Sequence, residues 1–430
     1  MSSKHAAAQR YPQQADVPDP AESEDYAATV PPGQWRPDVL GAGFEYTNFR
    51  VGDDDEADPQ TTDTALYASL VRYRPEPSWD GAPAAEAAAP SDTVRSVPGP
   101  GVGRRIERLL DTVSDTWRSW AAGRPRATGH GARGDQEAGR AQVPATQGPP
   151  RTAVLYLHGW SDYFYNAPMA EFWDRLGARF YALDLHRYGR SLRPWQTPGY
   201  MERLEDYDAD LEGALELIRR EAPTERIVVV AHSTGGLIAS LWAHRNPGAV
   251  HALILNSPWL EFQGSWVMRL AATGLLEPVA RRRPKARVRL PEVDFYWQSL
   301  SSSGQGQWDL HPRWRPRFAF PIRAGWMAGI LEGHARVAAG LDVRAPVLVL
   351  TSRRTLISTH FKPDHLEADS VLDVDLTRQR ALKLGPEVTV VSVDRGMHDV
   401  FTSQEEPRRF AYDAVRRWVG GYVSGLRTTD

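Results

Sequence analysis

The feature that most constrains the fold is an alternation of short apolar segments with helical segments that begins after Arg151. The apolar segments read TAVLYLHGW, ARFYALDLH, RIVVVAHS and VHALILNSPW. Segments with helical spacing separate them, among them EDYDADLEGALELIRREAP and GGLIASLWAHRNP. Short strands joined by helices build a mostly parallel sheet that is covered by helices on both faces. The alternation therefore predicts an α/β fold of this kind.

The alternation stops near Pro258 and resumes with APVLVLTSRR and EVTVVSVDRG, followed by a last helix. We therefore divide the sheet domain into a first part at 151–257 and a second part at 342–430. The segment between them, 258–341, is predicted to be a helical cap inserted into the sheet domain. It holds six of the 15 tryptophans of the chain.

The first 150 residues divide by composition. Residues 1–35 are polar and rich in Pro and Ala, which predicts a disordered tail. Two β-like stretches around an acidic turn predict an N-terminal β-hairpin of the sheet at 36–82. Residues 83–150 are predicted to be a low-complexity insertion. Within it, Ile106–Trp120 has the apolar spacing of one amphipathic helix, which either packs on the body or contacts a membrane surface or partner.

Composition excludes several classes of protein. Lys and Arg total 51 against 54 Asp and Glu, so no strong positive field favours nucleic-acid binding. The absence of cysteine excludes a disulfide scaffold, a cysteine-bound zinc site and a cysteine nucleophile. No apolar run is long enough to span a membrane, and the N-terminus lacks the apolar stretch of a signal peptide. We therefore expect a cytoplasmic protein. We expect no metal ion, since the histidines are scattered and no H-E-x-x-H motif occurs, and we expect no cofactor.

The strongest chemical signal is VVVAHSTGGLIA, in which a buried strand runs directly into a helix through Ser233. Such a sharp turn tolerates only small residues two positions before and after the serine, here Ala231 and Gly235. It presents the serine hydroxyl above the sheet, near the first N–H groups of the helix. This pattern resembles the G-x-S-x-G nucleophile elbow of the α/β-hydrolase fold, with alanine in place of the first glycine.

The resemblance extends to the segments before the elbow. It implies that the backbone N–H groups of Trp160, in the strand end YLHGW, and of Thr234 stabilise an oxyanion. It also implies that His158 is structural. The segment 184–191, DLHRYGRS, is similar to the D-x-x-G-x-G-x-S turn of the family and is interpreted as a scaffold turn, with Arg187 in place of the first glycine.

A serine nucleophile needs a base and an acid to orient that base. The resemblance places the base at His398, in the loop after the last strand, and the acid at Asp369, in the pattern A-D-S-V. The loop before this pattern is longer than usual, so Asp373 and Asp364 remain alternatives. The other histidines show no acid partner in the sequence and stay unassigned: His186, His232, His244 and His251.

Within the fold, the chain most resembles the serine aminopeptidase and monoglyceride-lipase-like branch, which includes lysophospholipase-type proteins. This resemblance implies a Ser-His-Asp triad that cleaves a small-molecule carboxylic ester through an acyl-enzyme. An aminopeptidase-type serine peptidase is the second interpretation, because the same triad serves both reactions. A non-catalytic protein that binds a ligand or partner is the third.

The cap composition predicts an apolar mouth with few carboxylates, which suits an acyl chain. Its candidate lining residues are Trp259, Leu260, Phe262, Trp266, Phe295, Tyr296, Trp297, Phe318 and Trp326. An aminopeptidase would need acidic groups for the substrate ammonium, and the candidates are Glu261, Glu292 and Asp294. The basic run 281–287 is interpreted as a solvated helix end, or as a cap contact with anionic lipid headgroups.

Overall fold

The computed structural model describes residues 34–57, 64–75, 152–221, 226–262, 276–289, 293–423 and 425–426. In these residues, nine strands form one sheet in the order β1-β2-β3-β5-β4-β6-β7-β8-β9. The strands are β1 Arg36–Pro37, β2 Phe44–Asp53, β3 Ala65–Tyr73, β4 Thr152–Leu157, β5 Arg179–Asp184, β6 Arg226–His232, β7 Ala252–Asn256, β8 Val347–Ser352 and β9 Val388–Val393.

The sheet is mostly parallel. Strands β5, β4, β6, β7, β8 and β9 pair in parallel with their neighbours. Strands β2 and β3 form an antiparallel hairpin, and β3 pairs antiparallel with β5, so the hairpin extends the edge of the sheet. The α/β fold predicted from the alternation of strands and helices is confirmed.

Helices cover both faces of the sheet. The α-helices of the described residues are α1 Ala167–Arg175, α2 Asp208–Glu221, α3 Thr234–Arg245, α4 Leu276–Arg282, α5 Phe295–Leu300, α6 Ala324–Ala339, α7 Val374–Ala381 and α8 Glu405–Tyr422. None of the helices in the described part of the chain combines the length and apolarity that a bilayer crossing needs.

Strand β4 shows why its sequence, TAVLYL, is apolar at nearly every position. Ala153, Leu155 and Leu157 pack in the core on one face of the sheet, together with side chains of α2, α3 and α6. Val154 and Tyr156 pack in the core on the other face, with side chains of α1 and α8. Successive side chains of a strand point to opposite faces, so a strand covered on both faces must be apolar throughout.

Helices α4, α5 and α6 belong to the predicted cap segment. Helix α6 packs closely on the sheet domain: a Cβ on its Gly333 would lie 2.4 Å from Leu204 Cδ1. Lys285, in the basic run after α4, pairs with Asp55 and Glu56 in the loop that follows β2. The predicted insertion at 83–150, including Ile106–Trp120, lies outside the described residues, as does most of the N-terminal tail.

Candidate active site

The turn between β6 and α3 holds Ser233 in an unusual backbone conformation, with φ 51° and ψ −117°. A positive φ is costly for a residue with a side chain and persists only where the surroundings impose it. Two close approaches do so here. A Cβ on Gly235 would lie 2.2 Å from the His158 carbonyl oxygen, and one on Gly236 would lie 2.7 Å from Pro258 Cβ. The glycine expected at position 235 is therefore required sterically, and so is Gly236.

A continuous chain of hydrogen-bonding atoms leads away from the Ser233 hydroxyl. Ser233 Oγ lies 3.1 Å from His398 Nε2, and His398 Nδ1 lies 2.9 Å from Asp369 Oδ2. All three residues are buried. The elements that carry them are far apart in sequence, and they meet because the carboxyl ends of parallel strands lie at one edge of the sheet.

The loop after β8 holds Asp369 in place. Its Oδ1 accepts hydrogen bonds from the backbone N–H groups of Val371, at 2.8 Å, and Leu372, at 2.7 Å. Asp373 instead caps the N-terminus of α7, and Asp364 is exposed and pairs with Arg354. Of the three aspartates that the sequence left open, Asp369 is the one in contact with His398.

The predicted oxyanion donors lie next to the serine. Thr234 is the first residue of α3, and Trp160 follows Gly159, whose Cβ position would be 3.1 Å from Ser233 Cβ. Among the described residues, neither backbone N–H group donates to a protein acceptor. These two N–H groups, one at a helix N-terminus and one in an adjacent loop, can donate hydrogen bonds to an oxygen that develops a negative charge.

The segments interpreted as scaffold make structural contacts. His158 Nε2 accepts a hydrogen bond from the Leu185 N–H group at 3.1 Å, so this ring ties the loop after β4 to the one after β5. Arg187, in place of a family glycine, has φ 63°. The Arg190 guanidinium pairs with Asp38 and Asp184, and the side chains are fully buried.

Two histidines that were left unassigned lie in defined environments. The inference that His186 has no acid partner is wrong: its Nδ1 lies 2.8 Å from Asp210 Oδ2, and both side chains are buried. Asp210 follows the buried Tyr207 by three residues and so lies on the apolar face of α2. This position was the signal in the sequence that Asp210 is buried. His232 lies beside His398, with ring centroids 4.9 Å apart, and burial lowers its pKa. Its ring is therefore neutral at pH 7.

Ser233 and His398 open into a cavity of about 330 Å³. The other residues lining it are Gly159, Trp160, Ser161, Asp162, His232, Val293, Asp294, Phe295, Tyr296, Trp297, Arg315, Pro316, Arg317, Ala319, Ser370 and Val371. Among the described residues, no group of three or more His, Cys, Asp or Glu could hold a metal ion.

The candidate lining residues of the mouth lie in different places. Of the candidate lining residues, Phe295, Tyr296 and Trp297 line the cavity. Four others pack in or against the core of the sheet domain, namely Trp259, Leu260, Phe262 and Trp326. Phe318 is 46% exposed, and Trp266 lies outside the described residues. Those four apolar side chains of the predicted cap segment pack against the sheet domain. Fewer apolar side chains therefore remain to line the cavity.

Two ion pairs that the sequence analysis missed lie in the cavity wall. Arg315 Nη1 is 2.6 Å from Asp162 Oδ1, and Arg317 Nε is 2.5 Å from Asp294 Oδ2. Burial by itself lowers the pKa of Arg315, but the Asp162 carboxylate holds that pKa above its ordinary value. Desolvation raises the pKa of Asp294, but hydrogen bonds, led by the one from Arg317, bring it below the usual range. Asp294 and Arg315 are therefore charged at pH 7.

Comparison with known proteins gives one family. The family model described as serine aminopeptidase, S33, matches residues 148–405. The chain is 31% identical over 157 residues to Lipase LipV of Mycobacterium tuberculosis, covering 34% of this chain and 54% of that protein. It is 21% identical over 280 residues to the monoacylglycerol lipase of Mycolicibacterium smegmatis, covering 64% and 90% of the two chains.

Solved structures also match. The monoacylglycerol lipase of Paleococcus ferrophilus aligns with a TM-score of 0.48 at 17% identity, covering 64% of this chain and 96% of that one. A soluble variant of the monoglyceride lipase of Saccharomyces cerevisiae aligns with a TM-score of 0.45 at 16% identity, covering 64% of this chain and 90% of the yeast protein.

Proposed function

Because the chain belongs to the serine aminopeptidase S33 family of α/β-hydrolases, we propose that it is a serine hydrolase that cleaves a carboxylic ester. The observation that carries this proposal is the contact of His398 Nε2 with Ser233 Oγ at 3.1 Å, combined with that of His398 Nδ1 with Asp369 Oδ2 at 2.9 Å. A nucleophile, a base and an acid in this arrangement are what acyl transfer through serine requires.

In the first half of the reaction, Ser233 Oγ attacks the ester carbonyl carbon while His398 Nε2 accepts its proton. The carboxylate of Asp369 keeps the proton of the neutral ring on Nδ1 and stabilises the imidazolium that forms. The Trp160 and Thr234 amides donate to the negative oxygen of the tetrahedral intermediate. When the intermediate collapses, His398 gives its proton to the departing alcohol, and Ser233 keeps the acyl group.

In the second half, water takes the place of the alcohol. His398 Nε2 accepts a proton from the water as its oxygen attacks the acyl carbon, and the same two amides stabilise the second intermediate. Collapse returns the proton to Ser233 Oγ and releases the acid. The residues of this chain are sufficient for both halves, so the proposed reaction uses no metal ion or cofactor.

The charges of the cavity favour an ester over a peptide N-terminus. An aminopeptidase must hold the substrate ammonium, and an unpaired carboxylate near Ser233 would do so. The carboxylates that line the cavity, Asp162 and Asp294, are each paired with an arginine. Glu261 pairs with Arg380. Two relatives of this chain, which are named a lipase and a monoacylglycerol lipase, also support ester hydrolysis.

Labelling of the full-length protein with a fluorophosphonate probe tests the proposal. Phosphonylation requires an activated serine, so the native protein should be labelled at Ser233 and heat-unfolded protein should not. Ser233→Ala should abolish labelling. Ser257→Ala is the matched control, because Ser257 is also buried, with φ 43°, and lies outside the cavity lining. Equal labelling of Ser233→Ala and native protein would contradict the proposal and favour a non-catalytic role.

A further inference from the structure

The wall of the cavity beside His398 is built from one aromatic ring and one guanidinium. The Tyr296 ring, on α5, meets the His398 ring edge to face, with centroids 5.1 Å apart. The Arg315 guanidinium also lies over the Tyr296 ring, 5.1 Å from the ring centroid. Tyr296, Arg315 and His398 all line the cavity. A group bound by Tyr296 and Arg315 would therefore be part of a substrate that is held at Ser233.

Both side chains hold a buried polar atom that has no hydrogen-bond partner within the described part of the chain: Tyr296 Oη and Arg315 Nε. Arg315 is only 6% exposed, so solvent does not reach it freely. Buried polar groups in folded proteins are nearly always hydrogen-bonded, and an unpaired one destabilises the fold. Trp160 Nε1, Asp162 Oδ1 and Ser370 Oγ, also in the lining, have no such partner either, but only Tyr296 and Arg315 stack on each other beside His398. Two unpaired atoms on this stacked pair indicate a ligand group that supplies the missing partner.

The type of missing partner follows from the donors and the charges. An arginine Nε can only donate a hydrogen bond, and a tyrosine hydroxyl can donate one, so both fit an oxygen acceptor. A full anion is disfavoured, because it would compete with Asp162 for Arg315. The charged side chains of the lining, Asp162, Asp294, Arg315 and Arg317, sum to zero. An uncharged carbonyl oxygen meets these conditions.

We propose that Tyr296 and Arg315 form a subsite for a second carbonyl oxygen of the substrate, in addition to the ester carbonyl held by the Trp160 and Thr234 amides. The enzyme then prefers esters whose acyl part carries a ketone or amide oxygen over alkyl esters of the same shape. This inference rests on the proposed ester hydrolysis and adds a substrate class to it.

A matched pair of substrates tests the subsite. In p-nitrophenyl levulinate a ketone oxygen occupies the place of a methyl group in p-nitrophenyl isocaproate, so the two esters have nearly the same shape. A second pair of esters, each with one more methylene in the acyl chain, places the ketone oxygen farther from Ser233. Each kcat/KM is divided by the rate of alkaline hydrolysis of the same ester. We expect the wild-type ratio to favour the ketone about tenfold in at least one pair, as one or two additional hydrogen bonds would produce.

Tyr296→Phe keeps the ring beside His398 and removes only the hydroxyl, so it should lower this ratio about fivefold. Arg315→Lys keeps the charge beside Asp162 and removes Nε, and it should lower the ratio as well. Tyr412→Phe is the matched control: its hydroxyl is also buried but lies outside the cavity lining, so the ratio should not change. The subsite proposal would be overturned if the wild-type ratio were near one in both pairs and Tyr296→Phe did not change it. That result would leave the proposed ester hydrolysis intact.

Binding to the Ser233→Ala protein separates the subsite from the reaction. Saturation-transfer NMR with levulinamide and isocaproamide measures the same comparison without turnover. Stronger binding of levulinamide that is lost in the Ser233→Ala, Tyr296→Phe protein supports the subsite even if no ester is hydrolysed. Equal binding of the two amides to both proteins would overturn it.

Discussion

His398 Nδ1 lies 2.9 Å from Asp369 Oδ2, and neither side chain is more than 2% exposed. The other oxygen of Asp369 accepts two backbone N–H groups, so the carboxylate cannot turn away from the imidazole without breaking both bonds. The loop that carries Asp369 therefore fixes the orientation of the proposed base.

Asp369→Asn should lower kcat for a p-nitrophenyl ester by roughly 10⁴-fold, because an amide at this place favours the wrong imidazole tautomer. The protein should remain folded, as circular dichroism would show. Asp373→Asn and Asp364→Asn are the controls and should retain most of the activity, since neither residue contacts His398. Loss of activity in one of these controls, with Asp369→Asn active, would contradict the assignment of the acid.

Gly235→Ala should destabilise the protein by about 1–3 kcal/mol, because its Cβ would lie 2.2 Å from the His158 carbonyl oxygen. Gly421→Ala is the matched control in α8, where a Cβ would meet no atom within 4 Å. This control should stabilise the protein by about 0.5–1 kcal/mol, the ordinary gain in a helix. Urea unfolding measures both changes. Equal stability of the two variants would show that the close approach at Gly235 is relieved by movement of the backbone.

Burial lowers the pKa of His334 from 6.5 to about 4. The folded protein then keeps this side chain neutral between pH 6.5 and 4, whereas the unfolded chain binds a proton. The neutral histidine contributes stability that is fully present above pH 6.5 and is lost as the pH falls toward 4, by about 2–3 kcal/mol. Unfolding free energies at pH 7 and pH 4.5 should show a smaller loss for His334→Asn than for wild type. His360 is exposed, so the His360→Asn protein should lose as much unfolding free energy between pH 7 and pH 4.5 as the wild type.

We expect p-nitrophenyl esters of medium chain length to be cleaved faster than the acetate. Each buried methylene contributes about 0.8 kcal/mol, so kcat/KM should rise by a few-fold per carbon until the cavity of about 330 Å³ is filled. Aminoacyl anilides should be cleaved poorly, because the cavity carboxylates are paired with arginines. A kcat/KM series over esters and anilides measures both, and rapid turnover of the anilides would favour the peptidase instead.

Residues 86–148 have too few apolar side chains to build a core of their own, so we propose that the segment is dispensable for folding. A variant without it should keep the thermal transition of the full chain within a few degrees, since the closure entropy of a connecting segment depends only weakly on its length. Calorimetry compares the two proteins. A collapse of the transition would mean that Ile106–Trp120 is a packed structural element.

The parts of the molecule that follow from local patterns could be predicted from the sequence. Strands buried on both faces, such as β4 and β6, leave continuous apolar runs, and the turn at Ser233 leaves small residues at fixed offsets. The pairing of Asp369 with His398 was harder to predict, because three aspartates stand close together after β8. Only the backbone contacts of that loop distinguish them.

The polar wall of the cavity could not be predicted in the same way. Arg315 and Asp162 are far apart in the sequence, and they meet only because the cap segment returns over the end of β4. An isolated arginine in a chain rich in arginine gives no local signal of such a contact. His186 and Asp210 also belong to different elements, since His186 follows β5 and Asp210 lies on α2. The place of Asp210 on the apolar face of α2 indicates that it is buried but does not identify its partner.

The contact between Trp160 and Trp326 has an optical consequence. Trp160 belongs to the loop after β4 and Trp326 to α6 of the predicted cap segment, and their ring centroids are 3.9 Å apart. The ring centroid of Trp259 lies 6.0 Å from that of Trp326. Indoles this close share their electronic excitations, so near-ultraviolet circular dichroism and fluorescence lifetime depend on the seating of the cap. The chain thus carries an intrinsic chromophore pair that reports cap displacement without any attached dye.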